Sequence, residues 1–133
     1  MSGPASSSSA MVEDIPIQAR IEAAMDTYQE GDRWESIVLF SSEGLPMASQ
    51  GRGLAYPEGD LLQLAFSLLN AVRLLGEETP VKEVLVHGGE HRVLSFHFFK
   101  AWGESVILAA VMTKKRGYRR ALTKLIQHIQ QIQ

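Results

Sequence analysis

The stretch LLQLAFSLLNAVRLL, residues 61–75, restricts the possible folds more than any other part of the chain. It is long enough for about four turns of helix. Its only polar residues are Gln63, Ser67, Asn70 and Arg73. Because a membrane-spanning helix needs about 20 mostly apolar residues, this stretch is too short and too polar to cross a bilayer. Such a helix must therefore lie in a deep core or be covered by a partner.

At about 100° per residue, the apolar side chains of this stretch form two rows. The first is a broad core stripe of Leu61, Leu64, Ala65, Leu68, Val72 and Leu75. The other, here called the second seam, consists of Leu62, Phe66 and Leu69, continued by Arg73. Burying one such large apolar side chain is worth roughly 1.5–3 kcal/mol, so the second seam needs its own cover. The cover is either another helix of the same chain or a partner helix, most simply that of a second subunit.

Five segments rich in β-branched and aromatic residues predict strands. They are residues 34–42, 45–49, 81–87, 91–99 and 104–112. Tight turns are expected at Glu43-Gly44 and at Gly88-Gly89. Pro46 cannot donate to a strand ladder, which places the second strand at a sheet edge. The unbroken apolar run at 106–112 predicts a central strand covered on both faces.

Two more helices flank these strands. The first begins near Asp14, with Pro16 in its first turn, and ends at Gly31. Asp60 is expected to cap the helix over 61–75, and Gly117 to open the last helix. One apolar stripe of that last helix contains Tyr118, Leu122, Leu125, Ile129 and Ile132.

The element order is helix, two strands, helix, three strands, helix, which predicts an α/β domain of two or three layers. Its five-stranded sheet should be mainly antiparallel. Residues 1–12 read as a disordered serine-rich arm and residues 13–133 as one domain. The opening MSGPASSSSA has no features of a signal peptide and the chain has no cysteine, which together predict a cytoplasmic location.

Catalytic signals are absent from the sequence. No phosphate loop, dinucleotide fingerprint or nucleophile elbow occurs. His91 and His97 share parity on one strand but would stand about 20 Å apart, too far to bind one metal ion. The i, i+4 pair His87 and His91 spans a glycine turn rather than a helix. We therefore predict no enzyme, no cofactor and no metal.

Charge is distributed unevenly. All 15 acidic residues precede residue 113, whereas residues 113–133 hold 6 basic residues and no acidic one. One face of the last helix carries Arg116, Arg119, Arg120 and Lys124. These bases form either a solvated face or a site for an anionic partner. No aromatic residues interleave with them, which argues against single-stranded nucleic acid.

The pattern resembles the roadblock / dynein light chain family, near the bacterial MglB-type regulators of Ras-like GTPases. The resemblance rests on SIVLFSSEGLPMAS for the first hairpin and DLLQLAFSLLNAVRLLGEE for the central helix. The last three strands, EVLVHGGEHRVLSFHF and SVILAAVM, and the final helix, RGYRRALTKLIQHI, extend it over roughly residues 14–130.

This resemblance implies a sheet with the central helix on one face and the terminal helices on the other. It also implies a homodimer with paired third strands and adjacent central helices. The implied dimer interface is Leu62, Phe66, Leu69 and Arg73 together with Val81, Glu83, Leu85 and His87. The polar strip of Gln63, Ser67 and Asn70 would then face a GTPase, to which such proteins supply no catalytic residue.

Two hypotheses follow. The first is a cytoplasmic, non-catalytic homodimer that regulates or scaffolds a small Ras-like GTPase. The alternative is an anion-binding module that uses the basic last helix on membrane phospholipid or nucleic acid, with binding that weakens steeply as salt rises.

Overall fold

The computed structural model describes residues 16–29, 34–51, 56–75, 81–113 and 118–132. It contains three helices in this part of the chain: α1 Ile17–Tyr28, α2 Glu58–Arg73 and α3 Tyr118–Gln131. The five strands are β1 Ser36–Phe40, β2 Pro46–Gly51, β3 Glu83–His87, β4 Val93–Ala101 and β5 Glu104–Met112. The predicted order of helices and strands is confirmed.

The strands form one antiparallel sheet in the order β2-β1-β5-β4-β3. β5 lies at the centre, as the apolar run at 106–112 predicts. β2 and β3 are the two edges, so the edge position inferred from Pro46 is also confirmed. A register shift follows Leu39, where Phe40 pairs with Pro46 and the regular ladder ends.

One face of the sheet, here called the sealed face, is covered by α1 and α3. Ile21 and Met25 of α1 and Leu122, Leu125 and Ile129 of α3 are completely buried against it. All five residues of the predicted α3 stripe are buried. Tyr28 and His128 meet edge to face at 5.8 Å between ring centroids, which joins the two helices.

The opposite face, here called the open face, is covered by α2 alone. Leu61 and Ala65 of α2 are fully buried over Val38, Phe96 and Ala109 of the sheet. Five further apolar residues of α2 pack against this cluster but remain half-buried: Leu62, Leu64, Phe66, Leu68 and Leu69. The division of one helix against two, as the resemblance implied, is confirmed.

Tight turns connect the antiparallel strands. In the β1–β2 turn the N–H of Gly44 donates to the carbonyl of Ser41 at 3.0 Å, and Gly44 has φ +85°. The β3–β4 turn centres on Glu90 and His91, at φ +58° and +63°, and is closed by Arg92 N–H donating to Gly89. The turn expected at Gly88-Gly89 therefore lies two residues later. His91 is in this turn, not on a strand as the sequence indicated.

Several helix and strand ends differ from the sequence expectation. α1 has Pro16 as its N-cap, and α2 has Pro57 at that position, so Asp60 is not a cap. Glu58 and Asp60 instead lie in the first turn of α2, where carboxylates favour the positive end of the helix dipole. Strand limits shift by a few residues, except for β5, which agrees in full. Asp14, Gly31, Gly117 and the arm at 1–12 lie outside the described residues.

Within the described ranges, no helix combines the length and the apolar character that crossing a bilayer requires.

Candidate interaction surface

The second seam of α2 lies beside the β1–β2 turn of the same chain. A β-carbon added at Gly44 would stand 2.9 Å from the ring of Phe66 and 3.6 Å from Leu62 Cδ1. Gly44 is itself buried, so the turn packs directly on these two side chains. Leu62 and Phe66, the first half of the second seam, are thus partly covered by the β1–β2 turn of the same chain.

The other half of the second seam lines a groove. Leu69 and Arg73 border a cleft of about 540 Å³ together with Phe98 and Ile107 of the β4–β5 hairpin. Arg73 is exposed and Leu69 is half-buried. The cleft forms where α2 meets the β4–β5 hairpin, and Ser42 of the β1–β2 turn also lines it, so three separate sequence segments contribute to it.

The opposite flank of α2 also carries leucines that are not fully covered. Leu64 and Leu68 are half-buried, and Leu75, just beyond the helix, is 59% exposed. The sequence placed Leu75 in the core stripe, but α2 ends at Arg73, and Leu74 and Leu75 follow it in a tighter turn, with their N–H groups donating to Ala71 and Val72. Leu74 is 88% exposed. Exposed leucines at the end of an apolar helix are a common sign of a contact surface.

Strand β3 presents an open edge beside β4. Its residues Glu83, Val84, Leu85 and Val86 are half-buried and His87 is exposed. Val81, two residues before the strand, is also half-buried. Cross-strand pairing places Val86 opposite Leu94 on the open face, and Tyr56, just before α2, has its hydroxyl over Gly88 after β3. The start of α2 and the end of β3 are therefore close together.

The polar strip of α2 is solvent-facing. Gln63, Ser67 and Asn70 are all exposed. The bases Arg119, Arg120 and Lys124 are likewise exposed on α3, on the other side of the sheet, while Arg116 lies outside the described residues. The structure therefore does not bring the polar strip and the basic helix face together.

A buried polar cluster under α3 was not predicted as a site. Ser95 is completely buried, and its hydroxyl lies 2.8 Å from Nε2 of His97, which is 8% exposed. Glu83 Oε2 of the edge strand lies 3.7 Å from the same nitrogen. Burial lowers the pKa of His97; the negative charge of Glu83 opposes this effect and the positive charge of Arg119 adds to it.

This cluster does not have the geometry of a catalytic relay. In a serine–histidine–carboxylate triad the carboxylate and the hydroxyl contact different ring nitrogens. Here both approach Nε2 of His97. No group of three or more histidine, cysteine or acidic residues in the described ranges could hold a metal ion. The cluster is therefore a buried polar contact between β3, β4 and α3.

No protein-family model matches the chain, and no curated protein matches it. Solved structures do. Myxococcus xanthus MglB aligns with a TM-score of 0.65 and 17% identity over 84% of this chain and 86% of that one. A structure described as MglB with a tetrameric arrangement gives 0.57 and 20% identity over 85% and 90%. The Roadblock/LC7 domain from Streptomyces avermitilis gives 0.56 and 16% identity over 87% and 92%.

The protein is thus an α/β sandwich with one sealed and one open face, and it has the fold of the roadblock domains. The MglB structures share this fold. The sequence-based resemblance is confirmed at the level of the fold, which is what similarity at these identities establishes.

Proposed function

We propose that the protein is a non-catalytic homodimer that regulates or scaffolds a small Ras-like GTPase. The observation that carries the proposal is the open face: one helix leaves a row of large apolar side chains half-buried beside an unpaired strand edge. A monomer gains little from such a surface, because apolar area of this size is normally covered by a partner. The roadblock fold supports the GTPase as partner through the resemblance to MglB-type regulators.

The dimer contact is proposed to combine β3 with α2. Val81, Glu83, Leu85 and His87 lie along the free edge, where a second copy of the strand can continue the sheet. On α2, the β1–β2 turn occupies part of the second seam. We therefore place the twin helix against the opposite flank, at Leu64, Leu68 and Leu75. The second-seam residues Leu69 and Arg73 then remain beside the groove.

Light scattering tests the dimer and its flank. Wild type is expected near twice the chain mass of 14.7 kDa. Leu75→Asp is expected to lower the mass toward that of one chain, because a carboxylate would be buried against the twin. Leu45→Asp is the matched control, since Leu45 is 62% exposed on the β1–β2 turn, which packs on the other flank of α2.

Two results would end the dimer proposal. One is a monomeric wild type. The other is an equal loss of mass in the Leu45 variant, which would show a general effect of added charge. A Leu69→Asp variant tests the second seam separately. If Leu69→Asp abolishes the dimer and Leu75→Asp does not, the twin helix packs against the second seam, as the sequence indicated.

The GTPase role is tested with candidate GTPases encoded near this protein. Adding the protein is expected to change the rate of GTP hydrolysis or to form a complex that depends on the bound nucleotide. Gln63→Lys combined with Asn70→Lys should weaken that effect without changing the dimer mass, because both side chains are exposed. No rate change and no complex with any such GTPase would refute the regulatory claim and leave the dimer standing.

A further inference from the structure

The groove beside the second seam has the composition of a binding cleft. Its volume of about 540 Å³ falls within the range of roughly 300–1,000 Å³ usual for ligand sites. Phe66 and Leu69 of α2 line it, with Phe98, Val106 and Ile107 of the β4–β5 hairpin. Phe98 pairs directly with Ile107, so these two side chains point to the same face of the sheet. The lining is mainly apolar and aromatic.

Two cations stand at the groove. Arg73 ends α2 and Lys100 lies near the end of β4, and both are exposed. In the described part of the chain, no carboxylate forms an ion pair with either of them. Glu104, the acidic side chain in the lining, accepts a hydrogen bond from the Ser42 hydroxyl at 2.9 Å. The groove therefore offers an apolar floor and a net positive rim.

We propose that this groove binds a short acidic segment of a partner protein, with a leucine or phenylalanine side chain in the cleft and carboxylates against Arg73 and Lys100. Burial of the apolar side chain supplies affinity, and the charges at the rim fix orientation and exclude basic segments. The proposal rests on the groove alone and holds whether or not the partner is a GTPase.

A second copy of the chain fits this groove poorly. In a two-fold symmetric contact the same patch meets itself, so each copy would bring Arg73, Lys100 and the single carboxylate of Glu104, a net positive set, against an identical set. Like charges brought together oppose association. An acidic segment from another protein is the complementary occupant.

The test uses fluorescence polarisation with three labelled peptides: EDLFDE, its apolar-deleted form EDAADE and its charge-reversed form KKLFKK. Wild type is expected to bind EDLFDE alone, and more weakly as salt rises because the rim charges are exposed. Arg73→Glu combined with Lys100→Glu should weaken binding about tenfold or more, since attraction becomes repulsion at both positions.

Arg120→Glu combined with Lys124→Glu is the matched control, with the same change in charge on α3. It should bind EDLFDE within about twofold of wild type, because these bases lie on the other side of the sheet. Three results would overturn the proposal: no binding of EDLFDE to wild type, equal binding of EDAADE, or an equal loss in the control. A change of solution mass in the Arg73 and Lys100 variant would assign the groove to a second copy instead, which also overturns it.

Discussion

The two faces of the sheet are covered in different ways. On the sealed face, α1 and α3 contact each other, and the central residues of their apolar stripes are completely buried, as Leu125 and Ile21 show at 0% exposure. On the open face, α2 lies alone and buries completely or nearly so only Leu61 and Ala65. The strands bury apolar residues on both faces of the sheet, and the two faces differ in the number of helices that cover them.

This difference separates stability from recognition. A fully buried side chain on the sealed face gains its full transfer free energy within one chain. A half-buried side chain on α2 gains only part of it, and the rest becomes available when another molecule covers the surface. The open face is therefore where both proposals lie, the dimer on one flank of α2 and the acidic segment on the other.

The largest expected effect is on the sealed face. Leu125→Ala should lower the free energy of unfolding by about 2–5 kcal/mol, because it leaves a cavity in a tightly packed core. Leu68→Ala on the open face should cost clearly less in dilute protein, since Leu68 is only half-buried. Urea denaturation at low and high protein concentration measures both.

Varying the protein concentration separates the stability that comes from packing within one chain from the stability that comes from the dimer. The loss in the Leu125 variant should not depend on protein concentration, whereas the loss in the Leu68 variant should increase when the dimer forms. Equal losses at every concentration would contradict the division into a sealed and an open face.

The next largest loss of stability is expected where the β1–β2 turn packs on α2. Gly44→Ala should destabilise by about 2–3 kcal/mol, because it forces both a left-handed backbone on alanine and a clash with Phe66. Gly103→Ala is the control: Gly103 also has a positive φ, of +77°, but a β-carbon there meets nothing within 4 Å. Its cost should be about 1 kcal/mol, from the backbone alone.

Thermal or chemical unfolding of these two variants gives the comparison. Gly44→Ala should cost less free energy of unfolding when it is made in the Phe66→Ala variant than when it is made in wild type, because the ring that would clash with the new β-carbon is then absent. Equal costs for Gly44→Ala and Gly103→Ala would show that the turn does not press on the second seam.

Sequence periodicity predicted those parts of the fold that depend on a single element. The stripe of α3 from Tyr118 to Ile132 agrees with the structure because one amphipathic repeat alone determines it. Leu75 was misassigned because the apolar periodicity continues past Arg73, where α2 ends, and periodicity does not encode the exact end of a helix. Pro57 at the N-cap was missed in favour of Asp60, although proline near a helix start was an available signal.

The groove could not be predicted from the sequence in the same way. Its lining comes from α2, the β1–β2 turn and the β4–β5 hairpin, and no local pattern joins Phe66 to Phe98 or Ser42 to Glu104. The contact between Ser95 and His97 was within reach, because residues two apart on a strand share a face. Its burial depended on α3, which lies far along the chain.

A smaller change in stability is expected when the pH is varied, and it comes from His97 on the sealed face. Because burial lowers the pKa of His97 below its ordinary 6.5, the unfolded chain binds a proton more readily than the folded one. Stability from this group is complete above about pH 6.5 and decreases as the pH falls below it, by at most about 1.4 kcal/mol per pH unit. His97→Gln should flatten this dependence below about pH 6.5.

Denaturation curves across that range compare wild type, His97→Gln and the control His91→Asn. His91 is exposed in the β3–β4 turn, outside the proposed dimer contact, and asparagine tolerates its positive φ, so the pH dependence of this variant should follow that of wild type. Parallel curves for wild type and His97→Gln would show that the buried cluster of Ser95, His97 and Glu83 does not respond to acid.

The smallest effect tests whether the sealed face remains closed at the far end of α3. The indole N–H of Trp102, in the β4–β5 turn at φ +56°, donates to the carbonyl of Ile132, and the Gln130 side chain donates to the Lys100 carbonyl at 3.0 Å. Trp102→Phe removes one of these bonds and should cost about 0.5–1.5 kcal/mol. Amide hydrogen exchange should then quicken in the last turn of α3 and stay unchanged in α1, because the bond holds only the helix end. Faster exchange in both helices would mean that the β4–β5 turn supports the whole sealed face. The tighter packing of the sealed face over the open face would then depend on the hydrogen bond between Trp102 and Ile132.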